Sequence, residues 1–323
     1  MLGITHYSAA LPKELVTITV IISLCLFISN LFVVLTFWRM KKLDIKHLYI
    51  LALVVPDVVM LALNWTISAI IINGRVSITN DRCKILAIIG TSAISITAML
   101  HSAMCVDRWM SVYFPIRYRA FKVKSHSRTI TKLVCATCYF MPIILITISC
   151  YADLLEASFN PHVPTCVFTT GDSGIVGIAL CSGIFVILPI FIQAITNVYI
   201  LRRVFRLRGA TRARVLRSVR TVLITVITYY VCWIPSASWL TLDMMLTNIE
   251  PSAWFSFACF QPLIANSSAS LPIYILTIPC FKSEYISLMR QLWKCLRNRD
   301  TRISPDDRQW RSTVLSSSAM LCD

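Results

Sequence analysis

The run Lys84–Tyr113 reads KILAIIGTSAISITAMLHSAMCVDRWMSVY, and the stretch behind it carries Arg117, Arg119, Lys122, Lys124, Arg128 and Lys132. A helix rises about 1.5 Å per residue, so roughly 20 apolar residues cross a hydrocarbon layer about 30 Å thick. This run is long enough to cross with tilt, or with one end in water. A basic flank of this kind stays on the cytosolic side of a membrane. The pattern recurs. Leu15–Trp38, Leu48–Ile72, Ile130–Tyr151, Gly174–Leu201, Arg220–Leu242 and Trp254–Leu276 are six more apolar runs of spanning length. Their continuous apolarity predicts helices, because barrel strands would alternate over about 10 residues.

Composition and charge placement support lipid as the solvent. The 323 residues are 57% hydrophobic and 14% charged, with a mean hydropathy of +0.71, whereas a soluble domain carries about a quarter charged residues. The net charge of +16 raises the question of nucleic acid, but the basic residues are segregated. All 31 Lys and Arg except Lys13, Arg75, Arg82 and Lys84 fall in Arg39–Lys46, Arg108–Lys132, Arg202–Arg220 and Lys282–Arg311. A nucleic-acid surface does not need long apolar runs between such stretches, so that class is excluded. The positive-inside rule puts the N-terminus outside and the C-terminus in the cytosol, which requires an odd number of spans. Seven satisfies it. Most of the 13 cysteines sit inside apolar runs and read as small hydrophobes. The first apolar segment is longer than a signal-peptide core and lacks a small-residue cleavage site, so it is expected to remain as a start-transfer helix.

The fold expected is an all-α membrane protein, a seven-transmembrane bundle with a short amphipathic eighth helix. Residues 1–14 form an outer N-terminus, 15–276 the bundle, 277–299 a juxtamembrane helix and 300–323 a cytosolic tail. In Phe281–Leu296, Phe281, Tyr285, Leu288, Leu292 and Leu296 recur at three- and four-residue steps while Lys282, Arg290, Lys294 and Arg297 face elsewhere. That pattern suits a helix lying on the inner membrane surface. Cys295 at its end is a candidate for palmitoylation, a free interfacial thiol being the alternative. The Ser/Thr-rich tail is expected to be disordered and open to phosphorylation, a docking point for a receptor kinase and arrestin.

Ionisable groups inside a span are costly unless paired or hydrated. Those that stand out are Asp57 in the second run and the Asp107-Arg108 pair at the end of the third. Asp57 lies too deep to reach water. It serves either as a hydrogen-bonding hub between helices or as a cation and water site that changes between two states.

These residues resemble the rhodopsin-like G-protein-coupled receptors. Asp107-Arg108-Trp109, followed by Val112, Pro115 and Tyr118, is similar to the family's Asp-Arg-Tyr segment. Asn30 matches its Asn-x-x-Val, Asp57 its second-helix aspartate, Cys83 and Cys166 its paired outer cysteines, and Pro189 its fifth-helix proline. Cys232-Trp233-Ile234-Pro235 is similar to the Cys-Trp-x-Pro of the sixth helix. The seventh helix departs from the pattern. Asn266, Ser267, Tyr274 and Phe281 keep the family spacing, but Ser270 replaces an asparagine and the proline slips one place to Pro272. Its kink is expected to persist, turned by about 100°. Trp109 stands for the usual tyrosine, Asn197 replaces a fifth-helix tyrosine, and the fourth run has no tryptophan.

The resemblance implies roles. Cys83 and Cys166 would form a disulfide on the oxidising side. Asp57, Thr97, Asn266 and Ser270 would ring an allosteric sodium ion, a hard cation suited to oxygen ligands; no other cofactor is expected. Trp233 would act as a rotamer switch beneath an outward cavity, with Pro235, Pro272 and Tyr274 shaping the moving helices. Asn30 and Pro189 belong to the structural core. Arg108, restrained by Asp107 and flanked by Trp109, would meet a heterotrimeric G protein. Many relatives restrain that arginine with an acid on the sixth helix, yet here no Asp or Glu occurs between Asp172 and Asp243. Elevated basal signalling is therefore expected. The arginines of the third inner loop, Arg202 to Arg220, would serve both membrane lipids and the G protein. Cys135-x-x-Cys138, buried in a span without a nearby histidine, reads as packing and not as a metal site. No nucleophile–base pair, phosphate loop or zinc motif is present, so catalysis is not expected.

Gly90 stands where aminergic relatives carry aspartate, which removes the ammonium partner, and the seventh run has no lysine for a retinal Schiff base. Asp153, Glu156 and Asp172 make the second outer loop acidic, and it has no Lys or Arg. Such a vestibule steers cations, which favours a basic or amidated peptide ligand. A small-molecule receptor on the same scaffold is the alternative. A seven-helix transporter is more remote, since pumps need several intramembrane carboxylates.

Overall fold

The computed structural model describes residues 13–40, 45–73, 80–123, 126–160, 165–169, 177, 180–245 and 253–297. Helices dominate. In chain order they are α1 (Lys13–Arg39), α2 (Ile45–Asn73), α3 (Asn80–Tyr113), α4 (Pro115–Val123) and α5 (His126–Tyr151). After a hairpin of β1 (Glu156–Asn160) and β2 (Thr165–Thr169) and a π-helical turn (Gly183–Ile187) come α6 (Leu188–Arg206), α7 (Gly209–Met245), α8 (Ala253–Thr277) and α9 (Pro279–Arg297). Among the described residues, stretches of α1, α3, α5, α6 with its preceding turn, and α7 are long and apolar enough to cross a membrane; His47–Leu63 of α2 is a shorter apolar helix.

Burial is inverted relative to a water-soluble protein. Leu133, Phe140, Ile148, Phe191, Ile195, Ile227 and Ile234 point outward, while Asn30, Asp57, Ser92, His101, Gln193 and Ser267 are buried. Only an apolar surround makes that arrangement favourable, because a helix there satisfies its own backbone and hides its polar side chains. The core joins Phe37, Tyr49, Leu53, Leu100, Met104, Val226, Ile273, Tyr274 and Phe281. Phe281, on α9's inward face, lies tilted 4.9 Å from Phe37 and edge-on 5.9 Å from Tyr274, centroid to centroid. That contact docks α9 against α1 and α8.

Three local features depart from the sequence expectation. The hairpin is antiparallel, with Glu156 opposite Thr169 and Phe159 opposite Cys166; Val, Phe and Thr suit a pleated surface. The π-helical turn precedes Pro189, whose nitrogen has no hydrogen to return to the ladder, and the wider turn is where the bonding pattern shifts. Most of the arginine-rich stretch is helical instead of looped. α6 runs on to Arg206, α7 starts at Gly209, and only Leu207 and Arg208 join them. Ala, Arg and Leu are good helix formers, and Gly209 takes the left-handed φ of 56° that the tight connection needs.

Candidate functional site

At one end of the bundle α3 delivers Asp107 and Arg108, both largely buried. The Arg108 guanidinium is ion-paired to Asp107, and its Nε donates to Asp107 Oδ2 at 3.0 Å. Tyr118 on α4 completes the cluster: its hydroxyl donates to Asp107 Oδ1 at 2.9 Å and accepts from Arg108 at 3.2 Å. Pro115 starts α4 immediately after α3, and this sharp restart swings Tyr118 back onto the pair. Trp109 faces the other way, packed on Ile200 and Val204 of α6 and Val219 of α7. Arg220 of α7 reaches across to α8, donating to the carbonyls of Leu276 at 3.1 Å and Thr277 at 3.4 Å.

Midway along the bundle Asp57 ties three helices together. Asn30 Nδ2 donates to the Ser267 carbonyl at 2.8 Å, and the Ser267 hydroxyl donates to Asp57 Oδ1 at 3.3 Å. A small cavity opens beside it, lined by Asp57, His101, Thr225, Asn266, Ser270 and Tyr274 among others, with room for about one water-sized occupant. Thr97 is not in that lining; its hydroxyl donates to the Ala93 carbonyl at 3.0 Å. His101, one turn further along α3, lines it instead. Its Nδ1 lies 2.8 Å from the Thr97 carbonyl, so that nitrogen carries the hydrogen and the buried Nε2 is left with a lone pair.

Above the cavity an aromatic column links α7 to α3. Trp233 lies 5.5 Å from Tyr229, and Tyr229 lies 4.9 Å from His101, centroid to centroid. Pro235 sits within α7 just beyond Trp233. Around Pro189, Ser102 donates to its carbonyl at 2.8 Å and Gln193 to the Ala98 carbonyl at 3.0 Å, clamping α6 to α3. Pro272 lies inside α8, and the Tyr274 ring two residues on is fully buried against Phe37.

At the opposite end the hairpin is held to α3 by a Cys83–Cys166 disulfide, Cα atoms 5.3 Å apart. Asp153 and Glu156 are both exposed, and Asp153 is 3.7 Å from Lys84 of α3. That pairing offsets part of the acidity the sequence alone suggested. Asp172 lies outside the described residues, as does the 300–323 tail. Cys295 is an exposed free thiol on α9. Among the described residues no three His, Cys, Asp or Glu side chains cluster as metal ligands.

Sequence reasoning did not assign Tyr118, Ser267 or His101 to the site, and it counted Arg220 only among the arginines facing lipid and the G protein. Tyr118 and Ser267 stood inside motifs already quoted, but their roles depend on how two helices face each other. His101 had one signal, an ionisable ring in mid-span six residues before Asp107. Arg220 was hidden among its neighbouring arginines.

No curated protein matches the chain. The family described as 7 transmembrane receptor (rhodopsin family) matches residues 29–270, from the residue before Asn30 through Ser270. That match covers most of the sequence and the helices that carry the site, so the chain belongs to the rhodopsin family of seven-transmembrane receptors.

Proposed function

We propose that this receptor sits in the plasma membrane, binds an extracellular peptide at the hairpin end and activates a heterotrimeric G protein at the Arg108 end. The observation that carries the signalling half is the Asp107–Arg108–Tyr118 cluster, a strong cation held in reserve by two neighbours at the basic face. Releasing Arg108 exposes five donors suited to backbone carbonyls of a partner. The positive-inside rule places that face in the cytosol, where α9 lies along the lipid, Cys295 is available for acylation, and the tail meets kinase and arrestin.

For the ligand half, exposed Asp153 and Glu156 supply negative charge, and the two-stranded hairpin has outer backbone edges that an extended peptide can extend. The experiment is a response assay over fractionated cationic peptides, with Asp153, Glu156 and Asp172 changed together to Asn or Gln. A response at low salt that is shifted to higher peptide concentration and recovers as peptide is raised, at equal surface expression, supports the reading. A wild-type-like response with unchanged salt dependence removes it and leaves a small-molecule ligand on the same scaffold.

The cavity beside Asp57 fits a single sodium ion. One carboxylate with the oxygens of Asn266 and Ser270 offers a hard cation charge balance and neutral ligands. When bound, the ion supplies the positive charge the buried carboxylate lacks. The Ser267 hydroxyl holds that carboxylate, and Asn30 in turn holds the Ser267 backbone.

A further inference from the structure

We propose that Arg220 is a positioning residue that latches α7 to α8 and holds the Arg108 end closed; the inference rests on the receptor reading above. The last turn of a helix runs out of its own N–H donors, and its aligned dipoles leave partial negative charge there. Leu276 and Thr277 are the final two residues of α8, where the helix is interrupted at Ile278 before Pro279 opens α9. The Arg220 guanidinium donates to both carbonyls, so it serves α8 as a C-terminal cap supplied by a different helix. Charge-assisted bonds of this kind outrank neutral ones.

Its position gives the contact mechanical meaning. On its other flank the same end of α7 meets α6. Val219 and Leu223 pack on Ile200 and Val204, the Arg212 guanidinium lies 5.7 Å from the Phe205 ring centroid, and only Leu207 and Arg208 separate the helices. These contacts link the Arg220-bearing end of α7 to the end of α6. Trp109, next to Arg108, packs on the cluster that Val219 and Leu223 form with α6, so swinging this end of α7 outward would loosen the cover beside Arg108, and Arg220 ties that end to α8. The chain has no acid on this half of α7 to hold Arg108 directly. A tether to backbone carbonyls needs none.

The test uses full-length receptor in nanodiscs or cell membranes, comparing wild type, Arg220→Ala and Arg220→Lys. Two readouts are taken: ligand-free nucleotide exchange on a panel of purified G proteins, normalised to receptor copies, and hydrogen exchange of the facing ends of α7 and α8. Arg220→Ala is expected to raise ligand-free exchange about 3- to 10-fold and to speed hydrogen exchange at that seam. Arg220→Lys, which keeps the charge but not the forked donors, is expected to fall between. A substitution that merely destabilised the fold would lower both receptor level and signalling. Seam protection unchanged in Arg220→Ala overturns the latch, as does basal exchange at or below wild type on a responsive G protein. Faster seam exchange with no nucleotide exchange on any G protein, wild type included, leaves the tether standing and counts against the proposed G-protein coupling.

Discussion

Tyr118 illustrates how one hydroxyl sets the state of a charged pair. It donates to Asp107 and accepts from Arg108, so removing it weakens both partners of the restraint. A hydrogen bond to an ionised group in this largely buried setting contributes about 1.5 kcal/mol, roughly a ten-fold change in an equilibrium. Tyr118→Phe is therefore expected to raise ligand-free second-messenger output several-fold above wild type at equal surface expression; equal output would show that Asp107 alone restrains Arg108. Asp57 makes a second case. If its cavity takes sodium, purified receptor melts at higher temperature in NaCl than in KCl of the same ionic strength, and Asp57→Asn abolishes the difference. An identical melting temperature in both salts for the wild type would refute the ion reading and leave Asp57 as a hub to Ser267.

Among the elements, the hairpin and its anchorage carry the clearest costs. The disulfide closes a separation of 83 residues, which constrains the unfolded chain by about 4–5 kcal/mol in the loop-entropy picture. Cys166→Ser is expected to lower the thermal midpoint sharply and to abolish the response to ligand, with dithiothreitol reproducing the effect in wild type but adding nothing in the variant. Gly177 packs so closely that a Cβ there would lie 2.2 Å from the Leu154 carbonyl oxygen. That neighbour is backbone and cannot rotate aside. Gly177→Ala should cost about 1–3 kcal/mol of stability, read as a drop in melting temperature; an unchanged midpoint would mean the backbone at Gly177 shifts without cost.

The helices themselves were readable from hydropathy: Trp254–Leu276 anticipates α8 within one residue at each end, and Phe281–Leu296 anticipates most of α9. α4, the hairpin and the helical arginine stretch were not, because each is short or polar and owes its form to a neighbour. The same holds within the site. Asp57 and Arg108 announce themselves as charges in apolar runs. Ser267, His101 and Arg220 acquire roles only when α8, α3 and α7 are packed.

For the whole molecule, charge asymmetry is the governing fact. Epitope tags at the two termini are expected to label from opposite faces of an intact cell, and labelling from one face would overturn the orientation. Basal signalling above mock-transfected cells is expected from the missing acid between Asp172 and Asp243. The joint at Leu207 and Arg208 has a last consequence, for protease sensitivity. Trypsin cleaves segments it can draw out as extended chain, and eight arginines between Arg202 and Arg220 would make a floppy connector an easy substrate. Here two helices offer it almost no slack. In inside-out vesicles, fragments joining Leu188 to Met245 should outlast those containing residues 298–323, despite being richer in cleavable bonds.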